Sequence, residues 1–164
     1  MATRRALVIG TGIAGLATAY RLLRSDWDVV LLGGSAQCSF TCSAAGLDAA
    51  RRLGLCLDPD LADVLRHGLG DSVFYRSDEV RDLCADDCGV TVTFSDGDDD
   101  WFDFVIEPSP DFDASLALVA AEMLGDALDI FSDTDEALRW WEENLLPFKG
   151  ELVESRAGHA RHTW

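Results

Sequence analysis

The sequence predicts an α/β fold: a parallel sheet, a β-hairpin and a C-terminal helical layer, in one domain of 164 residues. Three observations carry this. A G-x-G-x-x-G turn lies between an apolar run and a helical pattern near the start. Alternating strand-like residues flank an acidic turn between 88 and 107. Two helical patterns follow, one of them apolar all round, between 113 and 162.

The first unit occupies residues 1–35. Arg5-Ala-Leu-Val-Ile-Gly10 is a nearly continuous apolar run, as expected of a strand buried on both faces of a parallel sheet. The turn Gly10-Thr11-Gly12-Ile13-Ala14-Gly15 follows. Leu16, Ala19, Leu22 and Leu23 then recur at helical spacing, and Asp28-Val29-Val30-Leu31-Leu32 forms a second strand. A strand–turn–helix–strand unit of this size is a Rossmann-like dinucleotide-binding βαβ. Gly10 permits the tight turn, Gly12 lets the backbone approach a pyrophosphate, and Gly15 lets the helix lie close to the sheet. The helix N-terminus offers free N–H groups and the positive end of its dipole to the phosphates. An acid at the end of the second strand ordinarily binds the adenosine ribose. Here that position is Gly33, so FAD, NAD and NADP are not separated by it.

Val90 to Gly97 and Phe102 to Ile106 read as strands joined by Asp96-Gly97-Asp98-Asp99-Asp100. Asp96, Asp98, Asp100 and Glu107 match positions 1, 3, 5 and 12 of a calcium loop. Position 6 is Trp101 rather than glycine, and the flanks are strand-like, so a hydrated hairpin turn is expected and no metal site. Residues 114–125 carry one charge, Glu122, and should form a buried helix capped by Asp113. Asp133-Thr134-Asp135-Glu136 opens a last helix with Leu138, Trp141 and Leu145 as its apolar stripe. Trp140 cannot share that face and is expected to be exposed. The five cysteines, including the C-x3-C pairs 38/42 and 84/88, read as reduced and buried. His159 and His162 read as surface residues of a helix-like stretch.

Thirty carboxylates, 22 Asp and 8 Glu, oppose twelve arginines and Lys149, for a net charge of −17. Such a chain repels nucleic acid and anionic lipid. With 48% hydrophobic residues it still has the mass for a core. The Asp and Arg bias suggests adaptation to a salt-rich cytoplasm. Residues 1–25 hold Arg4, Arg5, Arg21 and Arg24 and no acid, a +4 island that suggests an anionic ligand beside the glycine turn. Thr3-Arg4-Arg5 before an apolar run has the look of a twin-arginine export start. The glycines at fixed spacing favour the βαβ reading and a cytoplasmic protein, and no run reaches the length of a membrane span.

The stretch Ala6 to Leu32 resembles the N-terminus of FAD-dependent monooxygenases of the aromatic-ring hydroxylase, p-hydroxybenzoate hydroxylase-like, group. Ala49 to Leu55 resembles the family's helix ending in a leucine-glycine-leucine turn. Tyr75 to Leu83 resembles its arginine-led helix, and Val90 to Ile106 its strand–turn–strand. Pro108-Ser109-Pro110 with Ala114 to Leu118 resembles the turn and helix that meet the flavin. Ala137 to Pro147 resembles the late helix. The resemblance implies an FAD-dependent oxidoreductase with NAD(P)H as reductant. Arg76 would then lie near the flavin, and Ala114 and Ser115 would offer N–H groups to its ring. Asp111 and Asp113 crowd that turn with negative charge where the family has glycine. The family is typically more than twice this length, and its ribityl-binding motif and substrate domain are not recognisable here. The sequence therefore also reads as a non-catalytic or degenerate dinucleotide-binding module, one that a second protein chain could complete. Catalytic residues and substrate are not readable.

Overall fold

In the computed structural model, the structure describes residues 4–33, 44–55, 61–86, 88–108, 114–145 and 161–163. Strand β1 (Arg5–Ile9), helix α1 (Ile13–Arg24) and β2 (Asp28–Leu32) form the expected βαβ unit. Helices α2 (Ala44–Arg52) and α3 (Leu61–Leu69) lead to β3 (Phe74–Arg76). Strands β4 (Val80–Asp86), β5 (Gly89–Phe94) and β6 (Asp99–Phe102) come next, then β7 (Phe104–Glu107). Helices α4 (Ala114–Ile130) and α5 (Thr134–Leu145) precede β8 (Arg161–Thr163).

Two sheets result. A parallel one has the order β3-β2-β1-β7-β8, and an antiparallel one the order β4-β5-β6. Alternation along each central strand sorts side chains into two cores. Ala6, Val8, Val29, Leu31, Phe104 and Ile106 face a helical layer rich in Leu and Ala. Leu7, Val30, Leu32 and Val105 face Val90, Val92, Phe94 and Phe102 of the antiparallel sheet. The molecule is thus helices, parallel sheet and antiparallel sheet in three layers. Burial on both faces explains why β1 and β2 read as unbroken apolar runs.

Three expectations change. Tyr75–Leu83, read by resemblance as a helix, is the end of β3, a short link and the start of β4. A β-bulge lies between Val80 and Asp82, so Val80 and Leu83, three residues apart, both pack on the second core. Inside a strand, that extra residue imitates the helical period. Arg161–Thr163, placed in a helix-like stretch, is a strand paired in parallel with β7. Cys84 and Cys88 are reduced but exposed, on β4 and the turn after it. Cys38, Cys42, Cys56 and His159 lie outside the described residues.

The acidic run makes the β5–β6 turn, with Gly97 at φ +93° and its N–H bonded to the Phe94 carbonyl at 3.0 Å. Among the described residues no group of three or more metal-ligating side chains comes together. Helix α4 is buried on nearly every face. Asp133 caps α5, accepting the Glu136 N–H at 3.1 Å. Trp141 is buried, its indole N–H donating to the Ala120 carbonyl at 2.9 Å, while Trp140 is exposed against Phe131. No helix among the described residues is long and apolar enough to cross a membrane.

Candidate functional site

The site is the glycine turn at the C-terminal end of β1. Gly10 leaves the strand at φ +113°, and its N–H donates to the Leu32 carbonyl at 2.7 Å. Gly12 is the N-cap of α1, with no side-chain cap and no acid in the first helical turn. Ile13 is buried, and Ala14 is half-buried against the same core. A Cβ built on Gly15 would collide with the Gly10 carbonyl, 2.8 Å from its carbon. Only glycine lets the helix approach the turn this closely, as the spacing predicts.

Gly10 and Gly12 are different. A Cβ on either would meet no atom of the described residues within 4 Å. Gly12 has φ −71° and ψ 179°, a conformation open to any residue. Folding therefore does not demand glycine at Gly12. The open space lies in front of an uncapped helix N-terminus, where backbone N–H groups and dipole favour an anion. A pyrophosphate fits this arrangement.

Helices α1 and α4 run side by side in the same direction. Arg21, near the C-terminus of α1, pairs with Asp126 at 3.1 Å and Asp129 at 2.7 Å, near the C-terminus of α4. Gly125 packs against the same arginine. The other end of α4, with buried Ala114 and Ser115, therefore lies at the same end of the sheet as Gly10–Gly15. Two helix N-termini converge there. Asp111 and Asp113, read as turn and cap, lie outside the described residues.

Gly33 ends β2 at φ +135°, beside the turn. A Cβ built on it would lie 3.6 Å from the Thr11 methyl and 3.7 Å from the Gly10 Cα. Thr11 is itself buried. The position where a ribose-binding acid is ordinarily found thus adjoins the glycine turn and presents only backbone. Arg76 ends β3, level with Leu32. Its guanidinium stacks on Phe94 with 3.8 Å to the ring centroid. It is held by Asp78 at 2.7 Å, by Asp96 and by Asp98 at 3.4 Å. The Asp98 N–H, together with Arg76, holds the Asp96 carboxyl below the usual carboxylate range.

The positive segment does not serve this turn. Arg4 and Arg5 begin β1 and Arg21 and Arg24 end α1, so all four lie at the opposite end of the sheet. Arg4 stacks on Trp27 and Arg24 donates to the Leu53 carbonyl. Arg5 pairs with Asp28 at 3.2 Å and Asp100 at 2.6 Å. Two of the island's four arginines, Arg5 and Arg21, are thus paired with acids brought from about a hundred residues away, which no local reading reveals.

Comparison with known proteins gives the family and the fold. A family model described as FAD dependent oxidoreductase matches residues 5–163. No curated protein matches. Among solved structures, the tetracycline destructase Tet(51) is similar over 64% of this chain and 38% of its own, at 23% identity and a TM-score of 0.55. The p-nitrophenol 4-monooxygenase PnpA from Pseudomonas putida DLL-E4 is similar over 66% and 41%, at 19% identity and 0.54. A mutant of the halogenase PltM in complex with FAD is similar over 65% and 34%, at 14% identity and 0.54. The chain spans 34–41% of the length of these three proteins, and the likeness is one of fold. With the family model covering nearly its whole length, this chain belongs to the FAD dependent oxidoreductase family.

Proposed function

We propose that this chain is the dinucleotide-binding frame of a flavin-monooxygenase-like oxidoreductase. FAD would be held with its pyrophosphate against the turn Gly10–Gly15 and its ring end toward Ala114 and Ser115. The observation that supports this most directly is Gly12. Neither backbone conformation nor packing of the described residues demands glycine there, and the space its Cβ would fill lies before a helix N-terminus with no side-chain cap. The solved structures that share the fold include a nitrophenol monooxygenase, a tetracycline destructase and a halogenase with FAD. The chemistry such a cofactor supplies is two-electron transfer, with NAD(P)H as the proposed reductant. This chain's own residues bind and orient: glycine N–H groups at the phosphates, α4 N–H groups at the ring.

The test is a Gly12→Val variant titrated with FAD. Its midpoint of unfolding should stay within about 2 °C of the parent, because the added Cβ meets no atom of the described residues. Its affinity should fall by at least about tenfold, because the side chain occupies the phosphate space. Equal affinities in the two proteins would refute the site.

A second reading is favoured by Gly33. Without a carboxylate at the end of β2, the ribose loses a charge-assisted hydrogen bond worth about 1.5–3 kcal/mol. Affinity is then about 10- to 150-fold below that of a chain carrying the acid. A dinucleotide-binding module without catalysis of its own, or one that works with a second chain, fits such weak binding. Anaerobic addition of NADH or NADPH to the FAD complex separates the two readings: bleaching of the flavin marks the oxidoreductase, and unchanged absorbance marks the binding module.

A further inference from the structure

One peptide group joins the glycine turn to the end of β3. The Leu32–Gly33 peptide accepts the Gly10 N–H on its carbonyl at 2.7 Å. On its other side, the Gly33 N–H donates to the Arg76 carbonyl at 2.9 Å. Gly10 is the first residue of the turn, so whatever fixes the Arg76 backbone also bears on the turn.

The Arg76 side chain is held on several sides. Three carboxylates hold it: Asp78 from the β3–β4 link, and Asp96 and Asp98 from the β5–β6 turn. Its planar face lies on buried Phe94. The side chain is only 15% exposed. Planar stacking combined with forked donation is a geometry that lysine cannot reproduce. A lock of this kind, joined through one peptide to Gly10, couples the hairpin tip to the glycine turn.

We propose that Arg76 is a positioning residue for the dinucleotide site. Anchored by the hairpin acids, it holds the Leu32–Gly33 peptide in the orientation that aims the Gly10–Gly12 backbone at the phosphates. Gly33 is the adaptable link, because its φ of +135° is a conformation that side-chain-bearing residues rarely adopt. This assignment rests on the proposed dinucleotide reading, but it also has a consequence that needs no ligand. If Arg76 only tied down the hairpin, its loss would loosen β4–β6 and leave the turn unaffected.

The experiment measures amide hydrogen exchange by NMR on the full chain, for the parent, Arg76→Met and the double variant Asp96→Asn with Asp98→Asn. Methionine keeps an apolar contact with Phe94 and removes the fork. The double variant leaves Arg76 intact and removes two of its partners, so it also covers the case in which Arg76→Met fails to fold. Exchange at Gly10 and Gly33 should quicken by about tenfold or more in both variants. Exchange in α5 should stay within about twofold, since local opening is confined to the unit that is released. FAD affinity should fall by about five- to tenfold in both, and Arg76→Lys should recover part of that loss but not all. Exchange at Gly10 and Gly33 unchanged while β4–β6 amides quicken would overturn the proposal. The Gly12→Val titration fails independently: if that variant binds FAD as the parent does while Gly10 and Gly33 still respond to Arg76, the dinucleotide reading falls and the mechanical link stands.

Discussion

Glu122 and Asp100 are carboxylates whose surroundings pull in opposite directions. Glu122 sits in the apolar body of α4. Burial pushes its pKa up, and exposed Arg52 at 3.5 Å only partly restrains the rise. Asp100 accepts two hydrogen bonds from Arg5, at 2.6 and 3.0 Å, and these hold its pKa down despite burial. A raised carboxyl pKa gives stability that is complete below the unfolded value and is lost as pH rises through the folded one. A depressed pKa gives stability present above the unfolded value, near pH 4, and lost as pH falls through the folded one. Glu122→Gln should therefore raise the midpoint of unfolding at pH 7 by about 2–4 °C, the shift that ~1 kcal/mol makes in a chain of this length. Its advantage should vanish as pH falls below about 4. Asp100→Asn should do the reverse, lowering the midpoint at pH 7 and converging with the parent in acid. Melting curves at five or six pH values decide; parallel curves for the parent and both variants would remove the electrostatic account.

At the scale of elements, adjacent tryptophans separate core from surface. Trp141 lies between α5 and α4, fully buried and hydrogen-bonded to the Ala120 carbonyl, whereas Trp140 is 36% exposed. Trp141→Ala should cost about 3–5 kcal/mol in urea unfolding, and Trp140→Ala less than about 1 kcal/mol. Similar losses for both would mean that α5 is seated differently. The helical period made this pair legible in the sequence, because a period of 3.6 allows only one of two neighbours to face α4. The glycine turn was legible for a related reason, since strand, glycines, helix and second strand are consecutive in the chain. Strand β4 escaped because the resemblance put a helix there, and its bulge, which sets Val80 and Leu83 three residues apart on one core, hides the alternation that would have opposed it. Strand β8 escaped because its partner, β7, lies more than fifty residues earlier. The positive segment misled for the same reason: its partners Asp100, Asp126 and Asp129 are distant in sequence, and direction within the fold puts those arginines at the far end from the turn. Local periodicity reports local structure; which end of a sheet a charge occupies is set by chain direction and topology.

Over the whole molecule, net charge sets how stability and ligand binding respond to salt. The chain carries −17, and most of its arginines among the described residues already face acids in ion pairs at 3.5 Å or less. The remaining carboxylates repel one another across the surface at longer range. Screening reaches about 10 Å at 0.1 M salt and about 3 Å at 1 M, so added KCl removes the long-range repulsion well before it weakens pairs in contact. The midpoint of unfolding should therefore rise between 0.1 M and 1 M KCl. FAD is itself anionic, and among the described residues the site has no neighbouring cation free of acids: Arg76 is surrounded by three, and the arginines of the first 25 residues lie at the other end of the sheet. In the proposed site FAD would therefore approach a protein whose summed field repels it, and what would attract it is the local field of backbone N–H groups at the helix N-termini. That local field acts in direct contact and is the last to be screened. FAD affinity should accordingly increase with KCl over the same range, opposite to the salt response of a ligand drawn in by a cationic patch. Titrations at 0.1, 0.3 and 1 M KCl measure it directly. A fall in affinity with salt would show that arginine side chains, rather than the glycine turn and helix ends, hold the phosphates.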